Sequence, residues 1–518
     1  MLRMARAGQM FSRTVMQLAC GTLGIFGLAL LVTASFGVDT DRPANGSQTA
    51  PQDKPMDEPE EALAGFNNTT NGFEDQDAFD DDRRQFEEVE TILPQKASAG
   101  QGGSSGSQEG SHGGLGPVYN ATSCVSCHQN PVTGSSSQVS ELRAGHLENG
   151  NFVEPPGGSL VHQRAIDAAI QEHVREQDNI RTLRMSTNTL GNGFVECIRD
   201  EDIKAVQTKQ PDDLRGTIVW VPVVIKEIVK DGEIQDFEFQ VRIGRFGWKD
   251  QEASLLNFAA GAYLNEMGIT SPLQPKENTS GGRDVSQFDQ VPDPEDPAVP
   301  DPDHPGQFLH PFGNDVEAFT RFMRSTRVPP RDFTLAGLDD VKEGERLFTE
   351  IGCAVCHVPQ WRTAPVGTTI RGDQGIAKVP KALGNKKIHP FSDFLLHDVG
   401  TGDGIVQTQH PQRPPHGLTP ARWKTLSADI KGTGQTYVEV ARDTGVQRTL
   451  KGADTANKIR TAPLWGLRVR PQLMHDGLSL TLEDAIGRHQ GQAKGVTQKF
   501  RELEQKKKEQ VKAFLRSL

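Results

Sequence analysis

Two copies of one short pattern constrain this chain more than any other feature. Cys124-Val125-Ser126-Cys127-His128 and Cys353-Ala354-Val355-Cys356-His357 each set two thiols around a two-residue spacer with histidine directly after. That spacing lets both sulfurs reach one porphyrin edge as thioethers, and the adjacent histidine then falls under the iron. A zinc site or a redox pair would use the thiols but leaves the fixed histidine unexplained. The pattern predicts two covalently bound haem c groups, attached through Cys124, Cys127, Cys353 and Cys356, with His128 and His357 as proximal ligands.

The other cysteines do not make a disulfide framework. Cys20 lies in an apolar N-terminal run, and Cys197 reads as a small buried residue. Residues 1–37 read as an export signal or an uncleaved membrane anchor. Arg3, Arg6 and Arg13 precede an apolar stretch, with Val32-Thr33-Ala34 and Ser35-Phe36-Gly37 as cleavage candidates. Export to the periplasm or a similar compartment suits c-type haem, with membrane contact only through this segment. The net charge of −12 excludes a broad basic footprint for nucleic acid.

Composition divides the remainder. Residues 38–114 are rich in Gly, Ser, Asp and Glu and read as a disordered linker, with a short helix near Arg83. A first haem domain is expected over residues 115–330 and a second over 331–518. Helical spacing covers residues 159–177, 251–267, 316–324, 338–348, 482–489 and 500–518. Residues 217–229 and 237–243 are rich in β-branched or alternating apolar residues, with Asp231-Gly232 as a hairpin turn. Residues 271–305 read as an acidic, Pro-rich surface loop. The fold class expected is mainly α: two cytochrome c-like haem domains with a small β-hairpin insertion and long loops.

Several longer stretches carry a resemblance. They include Leu115-Gly116-Pro117-Val118-Tyr119-Asn120, Gly244-Arg245-Phe246-Gly247-Trp248-Lys249 and Asn265-Glu266-Met267-Gly268-Ile269-Thr270. Further on stand Phe391-Ser392-Asp393-Phe394-Leu395-Leu396-His397-Asp398-Val399-Gly400, Arg460-Thr461-Ala462-Pro463-Leu464-Trp465-Gly466-Leu467 and Met474-His475-Asp476-Gly477. With them the chain resembles the di-haem oxidoreductases related to bacterial di-haem cytochrome c peroxidases and MauG-like proteins. The resemblance implies a reaction site at the N-terminal haem, electron entry at the C-terminal haem, and Trp248 between them. It implies Glu266 as the acid–base residue, although the family's proline and spacer are missing here, and Asn257 as an upstream amide. In place of the family's methionine on the helix after Met474-His475-Asp476-Gly477 stands His489. Bis-histidine ligation by His357 and His489 is therefore expected, with Met474 as the alternative ligand and His475 in a hydrogen bond within the turn.

His146, His162 and His173 are candidates for the sixth position of the first haem, His162 foremost. Calcium is a further cofactor of the related peroxidases, with no ligand set readable here. The expected partners are hydrogen peroxide and a small cytochrome c or cupredoxin as electron donor, with a homodimer possible. The expected activity is peroxide reduction. Two other functions remain open: an electron-transfer protein without peroxidase activity, and a MauG-like oxidase of a protein partner.

Overall fold

The β-branched stretch folds as the strand pair its alternation predicts. In this computed structural model, which describes residues 66–92, 114–129, 132–370, 378–406 and 455–518, Trp220–Lys230 and Glu233–Ile243 form an antiparallel hairpin in register from Trp220↔Ile243 to Lys230↔Glu233. Asp231 and Gly232 close it at φ +55° and +82°. A two-residue turn with both φ values positive matches the right-handed strand twist, and glycine reaches that region without steric cost.

A second β unit lies just after the first motif. Ser140–Glu148 is its central strand and pairs antiparallel with Asn151–Val153, Leu160–Val161 and Ile180–Met185. The helix expected over residues 159–177 does not form. That stretch holds two short strands and a single 3-10 turn, Ala168–Ile170. Its backbone bonds go to distant partners, such as Leu142 opposite both Val161 and Leu183. Local apolar spacing does not record such pairings.

The mainly α expectation is overturned by the same observation made across the chain. About 30% is helical and 19% is strand, spread over many small sheets. The helices that do form are short, such as Asn314–Ser325, Asp339–Ile351 and Gln505–Leu515. Short helices draw their stability from packing rather than from propagation.

Part of the expected linker belongs to the fold. Asp75 caps the helix Gln76–Glu87 by accepting from Ala78 N. Phe79 and Phe86 from this helix are buried and stack on Phe322, with ring centres 5.2 and 4.9 Å apart. Arg321 grips Asp82 with two bonds of 2.8 and 2.9 Å. Burying each phenylalanine contributes roughly 1.5–3 kcal/mol. The acidic composition averaged over residues 38–114 conceals these two anchors.

The second motif sits on a helical platform. Asp339–Ile351 packs against Gln505–Leu515 so closely that a Cβ on Gly344 would lie 1.9 Å from the Gln510 carbonyl oxygen. The first of these helices stops at Gly352, φ +106°, and the cysteine pair follows at once. Val341, Leu347, Phe348, Ile351, Phe391 and Phe514 form the core beneath it. The expected C-terminal helix is two, Lys494–Glu502 and Gln505–Leu515. Among the described residues no helix is long and apolar enough to cross a membrane. The signal or anchor expected over residues 1–37 lies outside the described residues.

Candidate functional site

The second motif faces a histidine. Cys353–Val355 forms one 3-10 turn, which brings Cys353, Cys356 and His357 to one wall of a cavity. His489, just after the helix Leu482–Gly487, lines the same cavity. The two imidazole rings lie 6.4 Å apart, centre to centre. Two imidazoles bound on opposite sides of one metal through bonds of about 2 Å have ring centres about 6 Å apart. Each ring is turned by a backbone carbonyl. His357 Nδ1 donates to Phe391 O at 3.0 Å, and His489 Nδ1 donates to Ala485 O at 2.7 Å. Both Nε2 atoms are thereby left as ligand atoms, the tautomer metal binding needs. Burial, and then the facing His489, lowers His357 to about 4, so the ring is neutral. The cavity holds about 1360 Å³ of empty space including its mouth, and its walls are mostly apolar. These residues fit a haem.

His397 stands beside the attachment cysteine. Its Nδ1 lies 3.7 Å from Cys356 Sγ, and its Nε2 donates to Asp393 at 2.8 Å. Burial opposes its charge, but the Asp393 carboxylate overrides that and raises it to about 10. Gln210 Nε2 steadies Asp393 at 2.7 Å and the Val355 carbonyl at 3.0 Å.

The first motif is built alike on its proximal side. Ser123 accepts from Ser126 N and starts the 3-10 turn Cys124–Ser126. His128 Nδ1 donates to Ser135 O at 3.2 Å, and burial lowers the ring to about 4. The surroundings differ sharply. After burial, Glu266 and Glu141 are the largest influences that raise the Cys127 thiol, to about 12. Glu266 lies on a π-helical turn, Tyr263–Met267, a form of helix frequent at functional sites. Its Oε2 accepts from Asn120 Nδ2 at 3.1 Å, and its side chain also hydrogen-bonds Glu141. Burial first, and Glu141 second, raise the Glu266 carboxyl to about 8. Glu141 itself resists burial and stays ionised, because Arg143 and Arg184 hold it below the usual range. Arg143 reaches it at 2.8 Å, and Arg184 is its direct partner across the sheet.

Between the motifs runs one short connection. Ser186 Oγ donates to the Cys127 carbonyl at 2.5 Å, and the preceding residue, Met185, accepts from Trp248 Nε1 at 2.7 Å. Trp248 is buried and lines the second cavity, edge-on to His475 at 6.1 Å.

The other expected residues fall in varied places. Both ring nitrogens of His162 are engaged, Nδ1 with Glu172 at 3.1 Å and Nε2 with Asn278 at 3.3 Å. His146 is likewise held by Asp178 and Glu148, and His173 is exposed. Asn257 accepts from Val224 N at 3.4 Å, on the long hairpin. Met474 lines the second cavity at φ +69°. The expected turn bond of His475 is absent: its Nδ1 is buried without a partner. Glu277, Asp293 and Glu295 bring carboxylate oxygens within 4.8 Å of one another, with Glu295 buried, Glu277 half-buried and Asp293 exposed. Sequence reasoning missed Glu141, Arg143 and His397. The first two alternate on one strand, so they share a face, but nothing local says which face meets the motif.

One comparison with known proteins bears on this chain. A family model described as "Di-haem oxidoreductase, putative peroxidase" matches residues 161–438 and 445–518. No curated protein matches the sequence. Among solved structures, the chain is similar to a hydrazine synthase of Kuenenia stuttgartiensis under xenon pressure. That likeness has 15% identity, 93% coverage of this chain, 100% of the other and a TM-score of 0.32, too low to carry an argument. The family match spans most of the chain, and haem is what it implies. The chain belongs to the di-haem oxidoreductase family.

Proposed function

We propose that this protein reduces hydrogen peroxide beside the first motif with electrons that enter at the second. Both haems are held as haem c, through Cys124 and Cys127 and through Cys353 and Cys356. When bound, the haems supply the iron that takes peroxide and the electrons that cleave it. The observation that carries the reading is the Glu266 carboxyl, placed beside Cys127 and raised to about 8.

A group that titrates near working pH can both take and give a proton. Reduction of peroxide to two waters consumes two electrons and two protons. Glu266 takes the proton from one peroxide oxygen and returns it to the other as the O–O bond breaks. Asn120 fixes the direction of its carboxyl, and Glu141, kept ionised by Arg143 and Arg184, accepts its hydrogen bond between turnovers. The Trp248 indole spans from Met185, next to the Cys127–Ser186 bond, to the wall of the second cavity. It offers electrons a π-system where saturated chain would otherwise lie. His357 and His489 would hold the iron of the second haem between them, which suits a carrier rather than a substrate site. Histidine in place of thioether lowers its potential, and a small cytochrome c or cupredoxin is the donor class.

The test is steady-state peroxide reduction with a reduced small cytochrome c, in wild type and Glu266→Gln. Turnover that falls while two haems remain attached supports the reading. Equal turnover in both proteins removes Glu266 from the chemistry, and none in wild type leaves an electron-transfer protein.

A further inference from the structure

Three residues that line the second cavity each carry an enclosed polar atom without a partner. Arg470 Nε, His475 Nδ1 and Thr401 Oγ1 are each fully enclosed, and each lacks a hydrogen bond. All three residues line the one cavity that also contains His357 and His489. Buried polar groups without partners are costly, so native folds rarely leave them unmet. The chemistry of the three is shared. A guanidinium N–H only donates, and an imidazole nitrogen and a hydroxyl can donate. What is missing opposite them is therefore an acceptor.

Charge narrows the acceptor further. Arg470 forms no ion pair among the described residues, whereas the buried Arg184 and Arg324 are paired with Asp403 and Glu196. Burial first, and the neighbouring charge of Arg460 second, lower Arg470 to about 10, still a cation at neutral pH. Arg460 reaches Gly247 O at 2.6 Å but approaches its nearest acid, Asp250, only to 3.7 Å. Asp250 is enclosed without a hydrogen-bond partner and kept uncharged by burial. This side of the cavity holds positive charge that the polypeptide leaves unmatched. An unpaired, half-buried guanidinium in a cavity wall calls for an anion, and a planar carboxylate suits its fork.

We infer that Arg470, His475 and Thr401 form an anion clamp that receives a propionate carboxylate of the second haem. The inference rests on the reading that a haem occupies the space between His357 and His489. It gives His475, edge-on to Trp248 at 6.1 Å, a second place, between the indole and the site where the carboxylate would bind. A guanidinium at the propionate also favours the reduced, less positive iron, which offsets part of the lowering that a second histidine causes.

The clamp is testable on the whole holoprotein by resonance Raman spectroscopy of the propionate bending bands and by potentiometric titration of the low-spin haem. Arg470→Leu is expected to shift one propionate band and to lower that haem's potential. Arg470→Lys should restore most of the potential but not the band, because an ammonium keeps charge without the fork. Thr401→Val, which leaves the charge untouched and keeps the test alive should Arg470→Leu fail to fold, should move the band with little change in potential. Wild-type bands and potentials in all variants that retain both haems would overturn the clamp and leave the two-haem reading intact. A wild-type protein without a low-spin haem would overturn that reading, and the clamp with it.

Discussion

The two motif regions share a five-residue pattern and diverge one shell further out. Around the second, His489 stands 6.4 Å from His357, the walls are largely apolar, and each imidazole is aimed by a carbonyl. Around the first, His128 is aimed in the same way, but its surroundings are carboxylates and guanidinia: Glu266, Glu141, Arg143 and Arg184. On the proposed reading, one setting saturates a metal and the other keeps a proton in reserve beside the first motif. The peptide that binds the cofactor therefore does not decide its use, which is set by residues brought from strands and turns far away in sequence.

Removing the second histidine should break this contrast most completely. His489→Ala is expected to convert the low-spin haem of the second site to high spin, read by absorption and EPR. An unaltered spectrum would return that role to Met474. Glu266→Gln should slow peroxide turnover by about 10²–10⁴-fold, the usual worth of general acid–base catalysis, with both haems still bound. Kinetics of the two proteins at matched haem content make that check.

Stability sharpens the comparison from outside the chemistry. Phe86 packs on Phe322 and lies 6.2 Å from the His128 ring, so it supports the first site alone. Phe86→Ala should cost about 3–5 kcal/mol in denaturant unfolding and loosen the first haem before the second. Equal loss at both sites would contradict a local role. The proton on Glu266 has a thermodynamic sign. Its folded value, about 8, lies above its ordinary 4.5. The native state then binds more protons than the unfolded one between these values, so stability falls as pH rises from about 5 to about 8. Melting curves across that range should show a shallower slope for Glu266→Gln. Smallest of all, Trp248→Phe removes one buried bond to Met185 and should cost about 1 kcal/mol, while electron transfer between the haems slows. Stopped-flow reduction of the two haems separates the two effects.

Much of the second site was legible in the sequence, and less of the first. His489 could be placed because the resemblance puts a ligand on the helix after Met474-His475-Asp476-Gly477, and Leu482–Gly487 ends just before it. The hairpin was visible because strand alternation and the Asp231-Gly232 turn are local signals. The sheet around Ser140–Glu148 was not, since its partners lie across long loops and its strands are short. Glu141 and Arg143 were lost with it: a charged pair on an unrecognised strand reads as solvated surface. Phe79 and Phe86 were hidden by the acidic residues between them. His475 was read as a structural turn residue because its unmet hydrogen bond appears only once the cavity is closed around it.

The asymmetry of the two centres is read most plainly in the EPR spectrum of the oxidised protein, taken with and without hydrogen peroxide. One high-spin ferric signal that peroxide abolishes and one low-spin signal of bis-imidazole type, present before peroxide is added, are expected. Two low-spin signals that neither peroxide nor cyanide alters would contradict that asymmetry.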